Sequence, residues 1–338
     1  MDMKRAFFLA LTALAAISCG NGKSQVRNTA PQPAETVQTQ SVAAVPQFQA
    51  DSAYSYIAAQ CDFGPRVPNT AAHKACAAWL ESKLKSFGIE TIVQQYRTTT
   101  FDNTVLDCFN IIGQINPECP TRIILCSHWD SRPWADNDPD PANHKTAIDG
   151  ANDGASGVGV ILELARLLQA NPAGIGVDCI FPDAEDWGPG DDWKGQHKEE
   201  YWGLGTQYWA KHLHKPGYKA RYAILLDMVG GKGARFPMEQ YSQRYAKTTV
   251  DKVWNTANAL GYSQLFPKTE GQFITDDHLF INTIARIPAI DIVPCVPGPF
   301  GSSFGQTWHT VQDNMDNIDK SVLNAVGQVL ATVIYSEK

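Results

Sequence analysis

From Phe48 onward the chain alternates short apolar runs with longer stretches in which apolar side chains recur every three to four residues. Uninterrupted apolar runs predict strands buried on both faces, and recurrence at three and four predicts helices with one face inward. Strands are predicted over 105–115, 122–126, 177–181, 222–226 and 287–293. One helix is predicted over 69–87, closed by Gly88, and another over 154–170, half-buried, with Val158, Ile161, Leu162, Ala165 and Leu168 on its inner face. A last helix is predicted over 319–335, with Val322, Val326, Val329 and Val333 inward. Such alternation predicts an α/β fold, a mixed, mostly parallel central sheet flanked by helices on both faces.

Two kinds of segment break the pattern. Polar loops at 133–150 and 186–200 are longer than a mere connection needs, and both follow predicted strands, which marks them as functional. Residues 20–47 are rich in Gln, Ser, Thr, Ala, Asn and Pro, too poor in large apolar side chains to offset the entropy of ordering, and are expected to be a flexible tether. At the start, Lys4 and Arg5 precede an apolar run from Ala6 to Ile17, then Ser18 and Cys19, the layout of an export signal. The run is about 12 residues, short of the roughly 20 that a membrane-spanning helix requires. Ala16-Ile17-Ser18-Cys19 resembles the lipobox of bacterial lipoproteins, which implies lipidation of Cys19. The expected organisation is a signal peptide at 1–18, a lipidated tether at 19–47 and a single α/β catalytic domain at 48–338.

Composition adds constraints. With 43% hydrophobic and 19% charged residues the chain is an ordinary globular one. The formal charge is −7; loss of 1–18 removes Asp2, Lys4 and Arg5, a net +1, and takes it to −8, which argues against a nucleic-acid partner. Of the eight cysteines none forms a C-x-x-C pair. Cys126 and Cys179 fall in predicted strands and are expected to be buried free thiols, whereas Cys61 with Cys76 and Cys108 with Cys119 are loop-closing disulfide candidates in an exported protein.

The chemistry gathers at strand ends. Ser127-His128-Trp129-Asp130, Asp183-Ala184-Glu185-Asp186 and Leu226-Asp227 each begin where a predicted strand stops, the edge at which open α/β sheets bind ligands. Asn152-Asp153-Gly154 adds a carboxylate before a helix, and Trp308-His309-Thr310 an imidazole before the last helix. Singly, Asp153 reads as a helix N-cap and Glu185-Asp186 as a solvated turn. Together, so many carboxylates in one place repel one another unless a cation holds them, and the His and carboxylate donor set suits zinc with an open coordination position.

The ordered motifs His128-x-Asp130, Asp153-Gly154, Glu185-Asp186, Asp227 and His309-Thr310 resemble the zinc aminopeptidase clan. Within it, Asp276-Asp277-His278, Trp308 before His309 and Phe304 five residues earlier resemble the glutaminyl-peptide cyclotransferases, whereas aminopeptidases typically carry a small hydroxyl residue at the position of Asp276. That resemblance implies one zinc ligated by Asp153, Asp186 and His309, with Glu185 as general acid/base. It makes Asp276 and Asp227 supporting carboxylates and Trp308 and Phe304 the pocket walls. Animal members usually have a second glutamate where this chain has Asp186. Trp193, in the second long loop, is a further candidate for substrate contact. His128 and Asp130 are retained as a possible second metal site or as support. The implied reaction closes an N-terminal glutamine of exported peptides or proteins into pyroglutamate, in the periplasm of a Gram-negative bacterium, with membrane attachment only through Cys19. The rival readings are a two-zinc aminopeptidase and a non-catalytic zinc-binding lipoprotein.

Overall fold

The computed structural model describes residues 45–190, 192–295 and 304–337. The predicted signal at 1–18, Cys19 and the tether up to residue 44 lie outside the described residues, among which no helix is long and apolar enough to cross a membrane.

Six strands form one sheet. In chain order they are β1 (Glu90–Thr99), β2 (Val105–Ile115), β3 (Arg122–Cys126), β4 (Gly176–Phe181), β5 (Ala223–Leu226) and β6 (Ala289–Ile292), and they lie in the order β1-β2-β4-β3-β5-β6. The four strands β4, β3, β5 and β6 are parallel, and β2 alone runs against its neighbours β1 and β4. The sheet is therefore mixed and mostly parallel, as the pattern predicts. Every residue of β3, β4, β5 and β6 is buried, which is why these strands read as mainly apolar runs, the exceptions being Arg122, Asp178 and Asp291.

Helices cover both faces. On one lie α1 (Ala50–Cys61), α2 (Ala71–Ser86), α3 (Ala155–Ala170), α5 (Gln240–Ala259) and α7 (Lys320–Ser336), packed on Ile123, Leu125, Val177, Ile224 and Ile292. On the other, α4 (Leu204–Lys211) and the turn α6 (Asp277–Phe280) with the π-helical 281–285 meet Ile124, Cys126, Ile180 and Leu225. Alternate residues of β3 thus serve opposite cores, as the period of a strand requires.

The sequence pattern misjudges α3, which is buried almost all round rather than half-buried. It runs between the sheet and α1, and two glycines permit that: a Cβ on Gly157 would stand 2.3 Å from the Leu226 carbonyl oxygen, and one on Gly159 would stand 2.8 Å from that of Ala53. Its buried Glu163 is neutralised by Arg166 at 2.7 Å. Asp153 is not its cap; Gly154 takes that position without a side-chain bond. The pattern also misses β1, an edge strand whose polar residues leave it largely unburied. All seven described cysteines are free, so neither disulfide candidate forms, while Cys126 and Cys179 are fully buried as expected.

The connectivity places the site. From β3 the chain passes through α3 to β4 on one side, and from β5 it continues to β6 on the other, so a crevice opens between the C-terminal ends of the neighbours β3 and β5.

The domain's first core residue is Phe48, 1% exposed; its ring lies where a Cβ on Gly327 of α7 would come within 2.4 Å. Its amide also donates to Gln328 at 2.9 Å. Phe48→Ala is expected to lower stability by about 3–5 kcal/mol, read as a shifted urea midpoint at constant slope. A change below about 1 kcal/mol would move the start of the fold beyond residue 48.

Candidate active site

His128 follows β3, Glu185 and Asp186 follow β4, Asp227 follows β5, Asp153 precedes α3 and His309 precedes α7. Asp276 caps α6, accepting from the amide of Asp277 at 2.5 Å. All are buried, and Glu185, at 8%, is the most exposed of them. Asp153, Asp186 and His309 each offer a ligand atom within 4.8 Å of the others. His309 Nε2 is 3.2 Å from Asp186 Oδ1 and 3.7 Å from Asp153 Oδ2. His128, Asp153 and Asp227 form a second such triple, His128 Nε2 standing 3.0 Å from Asp153 Oδ1 and 3.3 Å from Asp227 Oδ1. Asp153 is common to both and offers one oxygen to each.

Asp130 belongs to neither triple. Its carboxylate accepts the amides of Glu185 and Asp186 at 3.1 and 3.2 Å and lies 3.4 Å from His128 Nδ1, so it holds the Glu185-Asp186 backbone in place.

Several supporting residues escape a reading of the sequence. Arg132, fully buried, donates to the Asp186 carbonyl at 3.1 Å, approaches its Oδ1 at 3.3 Å and clasps Asp136 through two bonds of 2.7 and 2.6 Å; Asp136 in turn lies 3.5 Å from His309 Nδ1. Asp313 accepts the amides of Asn152 and Asp153 at 2.7 and 3.0 Å. His73, stacked on Trp129 at 4.6 Å, is bonded to both oxygens of Asp183, which also accept the amides of Phe109 and Ala184. A Cβ on Gly154 would stand 2.5 Å from the His128 ring, so the residue after Asp153 must be glycine. Ala184, Met228 and His309 all take left-handed backbone, with φ of 55°, 50° and 54°. Each such residue costs about 1–3 kcal/mol, which the surrounding bonds sustain at the three corners of the site. Nothing local in the sequence distinguishes Arg132, Asp313 or His73.

Electrostatics follow from the crowding. Burial and then Asp276, Asp186 and Asp277 push the Glu185 carboxyl well above the usual range, against the opposing pull of His128. Burial raises Asp227 well above it too, with Asp153 and Asp276 adding to the effect. Asp186 is pushed up to about 7, chiefly by burial and despite Arg132, and Asp313 to about 8. For His128, burial opposes the charged form, but Asp130, Asp153 and Asp227 raise the imidazole well above its usual value.

A cavity of about 270 Å³ opens onto this cluster. Its floor includes Glu185, Asp186, Asp227 and Asp276, and its walls Trp202, Ile274, Phe304 and Trp308. The Phe304 and Trp308 rings lie 4.7 Å apart, and Trp202 stands parallel to the His309 ring at 6.2 Å. Trp193 is not on the cavity: it packs on Phe101 and Tyr201 at 5.9 and 5.6 Å. Trp202, which the sequence reading passed over, lines the wall instead. A larger cleft of about 410 Å³ lies at the opposite end of the strands, near Glu90, Gln114 and Asn116, and holds none of these groups.

Two observations fit a cation at Asp153, Asp186 and His309. Asp186 Oδ2 is buried without a hydrogen-bond partner, and the mixed nitrogen and oxygen donors are those zinc takes. The sequence profile of peptidase family M28 matches residues 110–334, which span every one of these residues. The chain belongs to peptidase family M28. Among solved structures, this M28 chain is 53% identical to a glutaminyl cyclase of Bacteroides thetaiotaomicron bound to N-acetylhistamine, covering 87% of this chain and 100% of that one at a TM-score of 0.85. A Zn-dependent exopeptidase from Parabacteroides distasonis is 50% identical, over 87% and 100% of the two chains, with a TM-score of 0.84. The glutaminyl-peptide cyclotransferase of Bothrops jararaca is 25% identical over 67% of this chain, and the chain spans 64% of that relative's length.

Arg132→Met keeps the stem's bulk but removes the guanidinium that fixes Asp186 and Asp136. It is expected to weaken zinc affinity about 10- to 100-fold with the fold retained, measured by competition with a chelator. Unchanged affinity would show that Asp186 is held by other contacts.

Proposed function

We infer that this M28 chain is a zinc-dependent glutaminyl-peptide cyclotransferase, closing an N-terminal glutamine into pyroglutamate with release of ammonia. The observation that carries the reading is the cavity: about 270 Å³, walled by aromatic rings, with Asp276 on the same floor as Glu185. That volume lies below the roughly 300–1,000 Å³ of ordinary ligand sites and suits one side chain. Glutaminyl cyclases among the solved relatives support it.

Asp153, Asp186 and His309 would hold the zinc, which would supply Lewis acidity for the γ-carbonyl. Glu185 accepts a proton from the α-amine as that nitrogen bonds to the carboxamide carbon, and returns it to the amide nitrogen as the carbon–nitrogen bond breaks and ammonia leaves. Its raised carboxyl suits both transfers. The amine and the carbonyl belong to one residue, so the ring closes without a second reactant, and the chain's task is to fold glutamine tightly and exclude water. Trp202, Phe304 and Trp308 do this as walls. Burial and the neighbouring Asp276 keep Glu185 basic enough to take the proton, and Asp227 shares the floor.

We propose a single zinc. His128 sits among Asp130, Asp153 and Asp227, and a protonated imidazole there supplies the positive charge that a second metal would otherwise bring. Read with the predicted export signal at 1–18, the substrates are exported peptides and proteins led by glutamine, and the compartment is the periplasm with Cys19 as the anchor. Recovery of the activity in the cytosolic fraction would overturn that placement.

Glu185→Gln preserves volume but can neither take nor give the proton. A loss of about 10²- to 10⁴-fold in cyclisation is expected, with zinc still bound. Retention of more than about a tenth of the rate would assign the proton to another group. Hydrolysis of a leucine-led chromogenic amide by the parent enzyme, blocked by the same substitution, would sink the cyclase in favour of the peptidase. For the metal count, the purified enzyme is expected to carry close to one zinc per chain and His128→Ala to keep it; about two, with one lost in the variant, would favour the two-zinc aminopeptidase.

A further inference from the structure

Residues 272–276 line the cavity in succession, yet they form neither helix nor strand. Backbone bonds hold the two ends of the segment: Gly271 donates to the Met238 carbonyl at 2.8 Å and Gln240 to that of Gln272 at 3.0 Å, and Leu279 donates to that of Asp276 at 2.9 Å. Between them Ile274 packs with Met228 and Val293, and one buried side chain reaches the segment twice. Glu239, 1% exposed, caps α5 by accepting from Tyr241 at 2.8 Å on Oε1 and from Ser242 at 2.5 Å on Oε2. An N-cap needs no more. The same two oxygens also reach outward, Oε1 accepting the amide of Ile274 at 3.1 Å and Oε2 the Nε2 of His278 at 3.0 Å. Ile274 and His278 stand two residues to either side of Asp276. The far nitrogen of His278, Nδ1, lies 3.7 Å from Asp291 Oδ2, and Asp276, His278 and Asp291 offer polar atoms within 4.8 Å of one another.

We propose that Glu239 is a positioning residue for the reaction at this cavity, its carboxylate fixing the 272–278 segment so that Asp276 and the Phe273-Ile274 wall keep their places opposite Glu185. Each oxygen serves one donor of α5 and one donor of the cavity segment, so capping and positioning are joined in a single group. Two substitutions separate them. Glu239→Asp retains a residue favoured as an N-cap but, one methylene shorter, cannot also span to Ile274 and His278. His278→Asn leaves the cap and the Ile274 bond whole and removes the imidazole that joins Glu239 to Asp291.

The test is steady-state cyclisation of a glutamine-led peptide by the zinc-loaded full-length enzyme and both variants. Displacing a cavity wall and a catalytic carboxylate together should raise KM several-fold and lower kcat about 10- to 100-fold in each, with zinc content unchanged. A purely structural role would at most reduce the fraction of active enzyme, which lowers kcat and leaves KM alone. KM within a factor of about two of the parent in both variants would overturn the proposal, whatever happens to the melting temperature. The proposal rests on the cyclase reading only for its substrate. If the parent instead hydrolyses a leucine-led amide, that reading fails and the same comparison of KM and kcat is made on the amide.

Discussion

Asp153, Glu185, Asp186, Asp227 and Asp276 are all buried around one crevice, and most of the local architecture answers the electrostatic cost of placing them there. Charges of one sign a few ångströms apart in a poorly solvated site cost several kcal/mol, and the upward displacement of Glu185, Asp186 and Asp227 expresses that conflict. Two sources of positive charge relieve it. A cation held by Asp153, Asp186 and His309 would be one, and a protonated His128 between Asp153 and Asp227 would be the other. Because Asp153 belongs to both triples, a cation at one and the imidazole at the other would act on the same carboxylate.

Holding ligands against mutual repulsion requires a rigid surround. Arg132 grips Asp186 and Asp136, Asp130 accepts the amides of Glu185 and Asp186, and Asp313 accepts those of Asn152 and Asp153. Bonds to neighbouring amides flank the left-handed Ala184 and Met228, from Asp183 and Asp130 in the first case and from Ser156 in the second. The carboxylate on Asp130 explains why a residue that looks like a ligand in the motif His128-x-Asp130 works from behind the site.

One layer further out, the cavity walls come from three separate connections: Trp202 before α4, Ile274 before α6, and Phe304 with Trp308 before α7. Such segments lack the mutual hydrogen bonding of a sheet, so buried side chains must fix them. Glu239 does this for the 272–278 segment, as Asp183 with His73 does for the turn leading to Glu185.

The sequence by itself was enough for the α/β class, the buried parallel strands and the clustering of His128, Glu185, Asp186 and Asp227 at strand ends, because a strand buried on both faces is mainly apolar and polar groups at its end are therefore conspicuous. It was enough, too, to pair Asp153 with Asp186 and His309 once the motifs were read together through their family resemblance. It misled for α3, whose glycines at 157 and 159 permit close packing on two sides that a one-dimensional pattern cannot register. It misplaced Trp193 and overlooked Trp202, since which aromatic of a long loop turns inward depends on packing against Phe101, Tyr201 and His309 rather than on spacing. Only the tertiary structure decided that Asp130 supports instead of ligating, and that Arg132, Asp313 and Glu239 hold the site. Their partners lie about 35 to 160 residues away along the chain, and a hydrogen bond is set by direction and distance in space, which no local pattern encodes.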